Sequence, residues 1–323
     1  MIITVSPNPS VDRTLCIEAL PHGGVIRSSR GYSEPSGKGV NVAVALHAHG
    51  LDVLTILPAG GMAGQQITGM LSTLDVPHVT VPIAQEIRNN VSLVEPDATV
   101  TKINEIGPVL DNAEATALVE AALSRVKAGD WLVLCGTLPD GDVENLFIDL
   151  VIGARRLNAR VAVDTSGEAL RSVLPYGPDL VKPNAGELAE LTGRSLETLG
   201  DVVDAASELR RQGAGAVLAS LGSDGAILLD GSGCYFGHAP VERVVSAVGA
   251  GDAMLAGFLA GGAKGTHALR EGMAWAAASV QNEGTLYRGP RSRIEVDISD
   301  DLDRDRALLE PCEVPGSPVV IRT

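Results

Sequence analysis

The chain has 323 residues, 45% of them hydrophobic but only 3% aromatic, and a formal net charge of −15 at pH 7. That acidity argues against general nucleic-acid affinity, no apolar run reaches the length of a membrane span, and Cys16, Cys135, Cys234 and Cys312 fall in no zinc or disulfide spacing. The length suits one large α/β domain or two smaller ones, with a core of Val, Leu, Ile and Ala matched to buried parallel strands.

Taken in chain order, Ile2–Val5 reads as a buried strand that ends at Ser6-Pro7-Asn8-Pro9, with Asp12 just beyond. The opening stretch enters this strand directly, without the basic and apolar regions of a secretory signal, so a reducing cytoplasm is expected. Leu15–Glu18 and Val25–Glu34 read as short strands with one polar face. Pro35-Ser36-Gly37-Lys38-Gly39 reads as a flexible loop leading into a helix from about Asn41 to Ala48. Val53–Leu57 is a strand and Gln65–Leu74 a helix. Asn90–Glu95 and Thr99–Asn104 form a hairpin around Pro96-Asp97-Ala98. These short strands break the βα rhythm that follows, and are expected to form a small separate sheet, a lid drawn from about 13–35 and 88–105.

From Asp111 the alternation is regular. Asp111 and Glu114 form a capping-box pattern for a helix to about Val126. Strands Trp131–Cys135, Val161–Asp164, Leu180–Lys182 and Val217–Leu221 alternate with helices over Val143–Leu157, Gly167–Leu174, Asn184–Leu191 and on to Gln212. Ala226–Asp230 and Cys234–His238 form a hairpin, and Thr266–Glu283 is a further helix. The expected fold is α/β: a doubly wound, mainly parallel sheet flanked by helices, over 1–287. Ligands in such sheets bind beyond the carboxyl ends of the strands, which gives weight to Asp12, Gly136, Asp164, Lys182, Asn184, Ser220 and Asp252. From about Arg288 the acidic, proline-bearing sequence predicts a loosely attached tail over 288–323.

Val244–Gly257, VVSAVGAGDAMLAG, concentrates the chemistry. Gly249-Ala250-Gly251 lets main-chain N–H groups approach a ligand, and the following helix adds unpaired N–H groups and its positive dipole end. A carboxylate beside such an anion site, Asp252, can take a proton from a nucleophile while the amides stabilise a transferring group. The competing reading is a tight turn with Asp252 as an ordinary helix cap. Walker A fails, because Asp252-Ala253 stands where Lys-Ser/Thr is needed, and the dinucleotide fingerprint fails at Met254.

Five motifs occur in order: Asn8-Pro9-x-x-Asp12, Ser36-Gly37-Lys38-Gly39-Val40-Asn41, Lys182-Pro183-Asn184-x-x-Glu187, Ser220-Leu221-Gly222-x-x-Gly225 and Gly249-Ala250-Gly251-Asp252. On these the chain resembles the ribokinase-like sugar kinases of the phosphofructokinase B family, over roughly residues 1–285. It looks most like the branch containing 1-phosphofructokinase and tagatose-6-phosphate kinase. The resemblance implies Asp252 as base, with the amides of Gly249, Ala250 and Gly251 at the γ-phosphoryl group. It implies Asp12 and Asn41 on sugar hydroxyls, with Gly37 and Gly39 giving the sugar close approach. Arg27 and Arg88, on lid strands, would face a substrate phosphate, with Lys38 adding a charge and Thr137 a hydroxyl. Lys182, Ser220, Gly222 and Gly225 would serve ATP, and Asn184 and Glu187 would order Mg²⁺ largely through water.

Ordinary structural readings stand beside several of these: an Asx turn for Asp12, solvated surface arginines for Arg27 and Arg88, and a capping box for Asn184 and Glu187. Ser246 and Ser36 depart from residues usual in the family, and Asn282-Glu283-Gly284 is expected to border the adenine. The six histidines form no ligand spacing. The implied function is ATP-dependent phosphorylation of a ketohexose phosphate, D-fructose 1-phosphate first, by a homodimer joined through the lid. Tagatose-6-phosphate kinase and 6-phosphofructokinase are the near alternatives. A kinase for an unphosphorylated sugar or nucleoside, and a non-catalytic sensor on the same fold, are the distant ones.

Overall fold

The computed structural model describes residues 1–97, 99–241, 243–282, 284–289 and 294–312. Ala98 of the expected turn, Glu283 and residues 313–323 of the expected tail lie outside them. Among the described residues the main sheet has ten strands. Their order is Asp297–Ser299, Gly233–His238, Ala226–Asp230, Val217–Ser220, Leu180–Val181, Arg160–Asp164, Trp131–Cys135, Ile2–Val5, Val53–Ala59 and His78–Pro82. Neighbours from Val217–Ser220 to His78–Pro82 run parallel, and the other three strands add an antiparallel edge.

The apolar runs IITV and WLVLC are buried along their whole length because both faces of the sheet are covered. Alternate side chains serve different cores. Ile3, Val5, Leu132 and Leu134 pack with the helices Asn112–Leu123, Leu146–Arg156, Gly167–Val173, Ala185–Thr192 and Leu199–Gln212. Ile2, Trp131, Val133 and Cys135 pack with Lys38–Ala48, Gly61–Thr73, Ala250–Ala260 and Gly265–Ser279. Local chemistry fixes several helix starts: reciprocal capping boxes join Asp111 with Glu114, Asn184 with Glu187 and Thr198 with Asp201.

The chain leaves Ile2–Val5 toward one face and leaves Trp131–Cys135 toward the other. These two strands are neighbours, so a crevice opens beyond their carboxyl ends. Over it lies a four-stranded sheet in the order Arg30–Ser36, Ser10–Cys16, Arg88–Val94, Val100–Asn104. Two expected strands need correction. Leu15–Glu18 is replaced by Ser10–Cys16, where hydrogen bonds among Ser10, Asp12 and Asn90 stabilise polar residues that alone read as loop, and Val25–Glu34 by Arg30–Ser36, whose register is set by pairing with Ser10–Cys16. The helix expected from Asn41 begins at Lys38. The edge strand His78–Pro82 was not apparent from its sequence.

The loosely attached tail is also corrected, for residues 297–312. Asp297–Ser299 extends the main sheet, and Ala307–Cys312 pairs antiparallel with Leu196–Thr198. Leu308 is buried, and Arg306 reaches the buried carboxylate of Asp224 at 2.8 Å. Their partners lie far away in sequence, so the acidic stretch gave no local sign of them.

Phe147 is 1% exposed in the larger core. Phe147→Ala is expected to lower stability by about 3–5 kcal/mol in urea denaturation.

Candidate active site

The crevice is built from strand ends and two helix starts. Gly249 precedes Ala250–Ala260 with φ 82, and a Cβ there would lie 2.3 Å from the Thr285 carbonyl oxygen, so only glycine fits. Asp252 therefore falls in the first turn of the helix, not at its cap. Its carboxylate is 7% exposed and accepts a 2.7 Å hydrogen bond from Asn41 Nδ2 on the other helix, Lys38–Ala48. Glycine at 39 brings that helix down onto the strand end: a Cβ there would meet Ser6 Oγ at 2.5 Å.

Behind Asp252 lies a charged cluster. Asp164, fully buried at the end of Arg160–Asp164, pairs with Lys38 at 2.9 Å and with Lys182 at 3.0 Å. Lys38 also stands 3.6 Å from Glu187 Oε1. The two lysines hold the Asp164 carboxyl below its ordinary range against the opposing effect of burial. Burial disfavours the Lys38 ammonium, but Asp164 and Glu187 outweigh it and raise its pKa.

On the lid, register places Ser10 opposite Arg88 and Asp12 opposite both Asn90 and Glu34. Ser10 Oγ and Asn90 Nδ2 donate to Asp12 Oδ1 at 2.7 and 2.9 Å, and Asn90 Nδ2 also donates to Ser10 Oγ at 3.0 Å. Arg88 Nη2 donates to the Asn8 carbonyl at 3.1 Å, and Asn8 Nδ2 donates to Thr137 Oγ1 at 3.3 Å. Ser6 Oγ, Asn8 Oδ1, Asn41 Oδ1, Arg88 Nε and Asn90 Oδ1 are buried with no hydrogen-bond partner in the protein. Buried polar groups are otherwise almost always paired, so this concentration leaves hydrogen-bonding capacity open to water or a polar ligand.

A family model described as pfkB family carbohydrate kinase matches residues 8–290. The chain belongs to this family. It is 35% identical over 261 residues to a 1-phosphofructokinase of Bacillus subtilis, covering 81% of this chain and 85% of that one. It is 34% identical over 290 residues to ATP-dependent 6-phosphofructokinase isozyme 2 of Escherichia coli, covering 88% and 94%. The crystal structure of Escherichia coli phosphofructokinase-2 in complex with potassium superposes with a TM-score of 0.83 at 33% identity, over 88% of this chain and 94% of that one. The structure of Arabidopsis thaliana ribokinase complexed with ribose and ATP, at 22% identity and a TM-score of 0.70 over 90% and 95% of the two chains, shares the fold. The protein is thus a phosphotransferase acting on a carbohydrate, with a ribokinase-like fold.

Most of the residues singled out in the kinase's sequence converge on the crevice, with some differences. Asp252 and Asn41 meet directly, and Asp252 does not cap its helix. Lys182 lies against Gly251, where a Cβ would be 3.2 Å from its Nζ. Lys38 pairs with Asp164 and Glu187. Asn184 and Glu187 do form the capping box, which leaves Glu187 Oε1 facing Lys38. Ser220 bridges to Asn184 beside Gly222 and Gly225. Arg27, expected on a lid strand, lies in the exposed segment before Arg30–Ser36 and is not brought to the cluster. Near Asn282-Glu283-Gly284, Thr285 N donates to Glu34 of the lid at 3.3 Å.

Sequence reasoning gave Asp164 a strand-end position but no role, and it missed Asn90 and Glu34 altogether. The alternation in Ser10-Val11-Asp12 and the polar run Arg88-Asn89-Asn90 were local signs, but the pairing of Asp12 with Asn90 had none.

Burial, then the like charge of Asp164, raises the Asp252 pKa from 3.8 to about 6, although Asn41 and the lysines favour the carboxylate. With Asp252 as the general base proposed below, which must be ionised to act, kcat/KM is expected to fall on acidification through an apparent pKa near 6. Asn41→Ala removes a hydrogen bond that favours the carboxylate, and should move this limb to higher pH. Asp252→Asn should reduce kcat by about 10²–10⁴; near-normal turnover of that variant in a coupled assay would refute the base.

Proposed function

We propose that this kinase transfers the γ-phosphoryl group of ATP to a ketohexose phosphate, converting D-fructose 1-phosphate to D-fructose 1,6-bisphosphate. The observation that carries the reading is the set of buried, unpartnered polar atoms on Asn8, Asn41, Arg88 and Asn90, beside the Asp252 carboxylate. Hydroxyl groups of a sugar both donate and accept, which suits the two amides and Asp12. Arg88 keeps a buried guanidinium N–H uncommitted at the lid edge, as a phosphate contact requires. Thr137 adds a hydroxyl, while Arg27 would need the loop before Arg30–Ser36 to turn inward.

In the proposed reaction, the acceptor hydroxyl oxygen forms a bond to the γ-phosphorus, its proton passes to Asp252, and the bond to the ADP oxygen breaks. The amides of Gly249, Ala250 and Gly251 at the start of Ala250–Ala260 stabilise charge on the transferring group. Lys182, held by Asp164, meets the phosphates of ATP, and Ser220, Gly222 and Gly225 border the nucleotide.

Mg²⁺ fits this donor set. No group of three or more His, Cys, Asp or Glu suited to a metal occurs among the described residues, but Mg²⁺ retains waters and takes few protein ligands. Glu187, with Asn184 fixing it through the capping box, would hold it through water. Bound there it would supply positive charge to offset that of the ATP phosphates.

Relatives named 1-phosphofructokinase support the 1-phosphate, and the 6-phosphofructokinase relative favours the 6-phosphate as the second reading. Fructofuranose carries a CH₂O group at each end, so one pocket can take either isomer with the ring turned over. Tagatose 6-phosphate is a further candidate. An ADP-release assay across fructose, fructose 1-phosphate, fructose 6-phosphate and tagatose 6-phosphate is expected to give highest kcat/KM with fructose 1-phosphate. Preference for unphosphorylated fructose would overturn the reading. Arg88→Ala should raise KM for the sugar phosphate about tenfold or more with little effect on KM for ATP, since removing a charged hydrogen bond costs about 1.5–3 kcal/mol.

We also propose a homodimer joined through the lid. Val91 and Ile103 pair on the lid face opposite Asn90, and Ile103 is 56% exposed. Ile103→Glu is expected to shift the sedimentation profile toward monomer. No helix among the described residues is long and apolar enough to cross a membrane. A cytoplasmic location, where ATP is supplied, is part of the proposal, and cell fractionation tests it.

A further inference from the structure

We propose that residues 297–312 brace the nucleotide loop, with Arg306 and Asp224 as the positioning pair. The inference rests on the reading of Ser220–Gly225 as that loop, and the family match ends at residue 290, before the brace begins.

Gly222–Asp224 is a single turn of 3₁₀ helix, closed by Asp224 N to the Leu221 carbonyl at 3.0 Å and Leu221 N to the Gly225 carbonyl at 2.8 Å. So short an element has little stability of its own. The Asp224 residue is 1% exposed, yet its carboxylate caps nothing within the turn. Both oxygens are given instead to the C-terminal segment. Arg306 Nη2 donates to Oδ1 at 2.8 Å and the Leu309 amide donates to Oδ2 at 2.7 Å. A buried carboxylate is tolerated because those donors are there; removing the cation leaves an uncompensated buried charge.

The brace is itself anchored away from the loop. Leu199 N donates to the Arg306 carbonyl at 3.0 Å, Gly200 N to the Arg304 carbonyl at 2.8 Å, and the Arg304 guanidinium to Asp204 at 2.7 Å. The Arg306 guanidinium also lies 4.9 Å from the centre of the Phe236 ring. Glu310 reaches the loop as well: a Cβ on Gly222 would stand 3.9 Å from its Oε2. Ser220 meets Asn184 through a parallel bridge, and its amide donates to the Pro183 carbonyl at 3.0 Å. Movement of Asp224 therefore acts on the loop beside Lys182 and Asn184, on the ATP side. Asp12, Arg88 and the lid hydroxyl contacts share none of these bonds. The brace tunes nucleotide affinity and leaves sugar affinity alone.

The test compares Arg306→Ala and Leu309→Pro with wild type. The first removes the cation; the second removes the amide donor beneath an exposed side chain and keeps the Arg306 charge. Each should raise KM for ATP, and the ADP dissociation constant measured calorimetrically, by about tenfold, with kcat and the sugar-phosphate KM within about twofold. Arg306→Lys, which keeps the charge, should recover part of the ADP affinity. A lower melting temperature with unchanged ATP and ADP constants would reduce the segment to a structural clasp and overturn the proposal, as would equal rises in both KM values. Should Arg306→Ala prove insoluble, Leu309→Pro decides. Gly222→Ala, at φ 57, separates the two levels of the argument. If it weakens ADP while the brace variants do not, the brace alone fails; if it too leaves ADP unchanged, the nucleotide reading of the loop fails.

Discussion

One hydrogen bond, from Asn41 to Asp252, joins the first helix of the chain to one that begins some two hundred residues later. The two helices pack on the same face of the sheet and both start at its carboxyl edge. Their meeting puts a carboxylate into a buried place where its charge is unfavourable, close to Asp164 but within reach of two lysines. A carboxylate so placed stays ready to take a proton near neutral pH, whereas a solvated one would be too weak a base. The geometry depends on residues with no chemistry of their own. Gly249 turns the chain where any side chain would strike the Thr285 carbonyl, and Gly39 lets its helix settle onto Ser6.

The charged cluster beneath this carboxylate shows how several ions share a low-dielectric site. Asp164 is compensated by Lys38 and Lys182 together, so neither lysine is a free charge waiting for phosphate. Both are instead pre-oriented, with little side-chain freedom left to lose. The lid follows the opposite logic. Its inward row of Ser10, Asp12, Arg88 and Asn90 is only partly satisfied within the protein. What the charged cluster satisfies by pairing, the lid leaves open.

The last strands, Asp297–Ser299 and Ala307–Cys312, lie beyond residue 290, where the family match ends. Through Arg306 and Leu309, a segment far along the chain holds Asp224 in the turn that follows Val217–Ser220.

Much of this was legible without coordinates. The unbroken apolar runs around Ile3, Leu132 and Val163 declared buried parallel strands, because sequence alone decides whether both faces of a strand can be covered. Asp111-x-x-Glu114 and Asn184-x-x-Glu187 declared helix starts, because capping is satisfied within four residues. The motif at Gly249–Asp252 likewise carried its own logic of close amides and a nearby carboxylate. Tertiary structure alone decided that Asp252 answers to Asn41, that Asn90 holds Asp12, that Arg27 stays outside the cluster and that Arg306 finds Asp224. Apart from Arg27, each of these is a contact between segments far apart in the chain, where charge and hydrogen-bonding capacity are visible in the residue but the partner is chosen by the fold. Local rules name what a side chain can do; only packing, by removing water and limiting the partners within reach, fixes what it does.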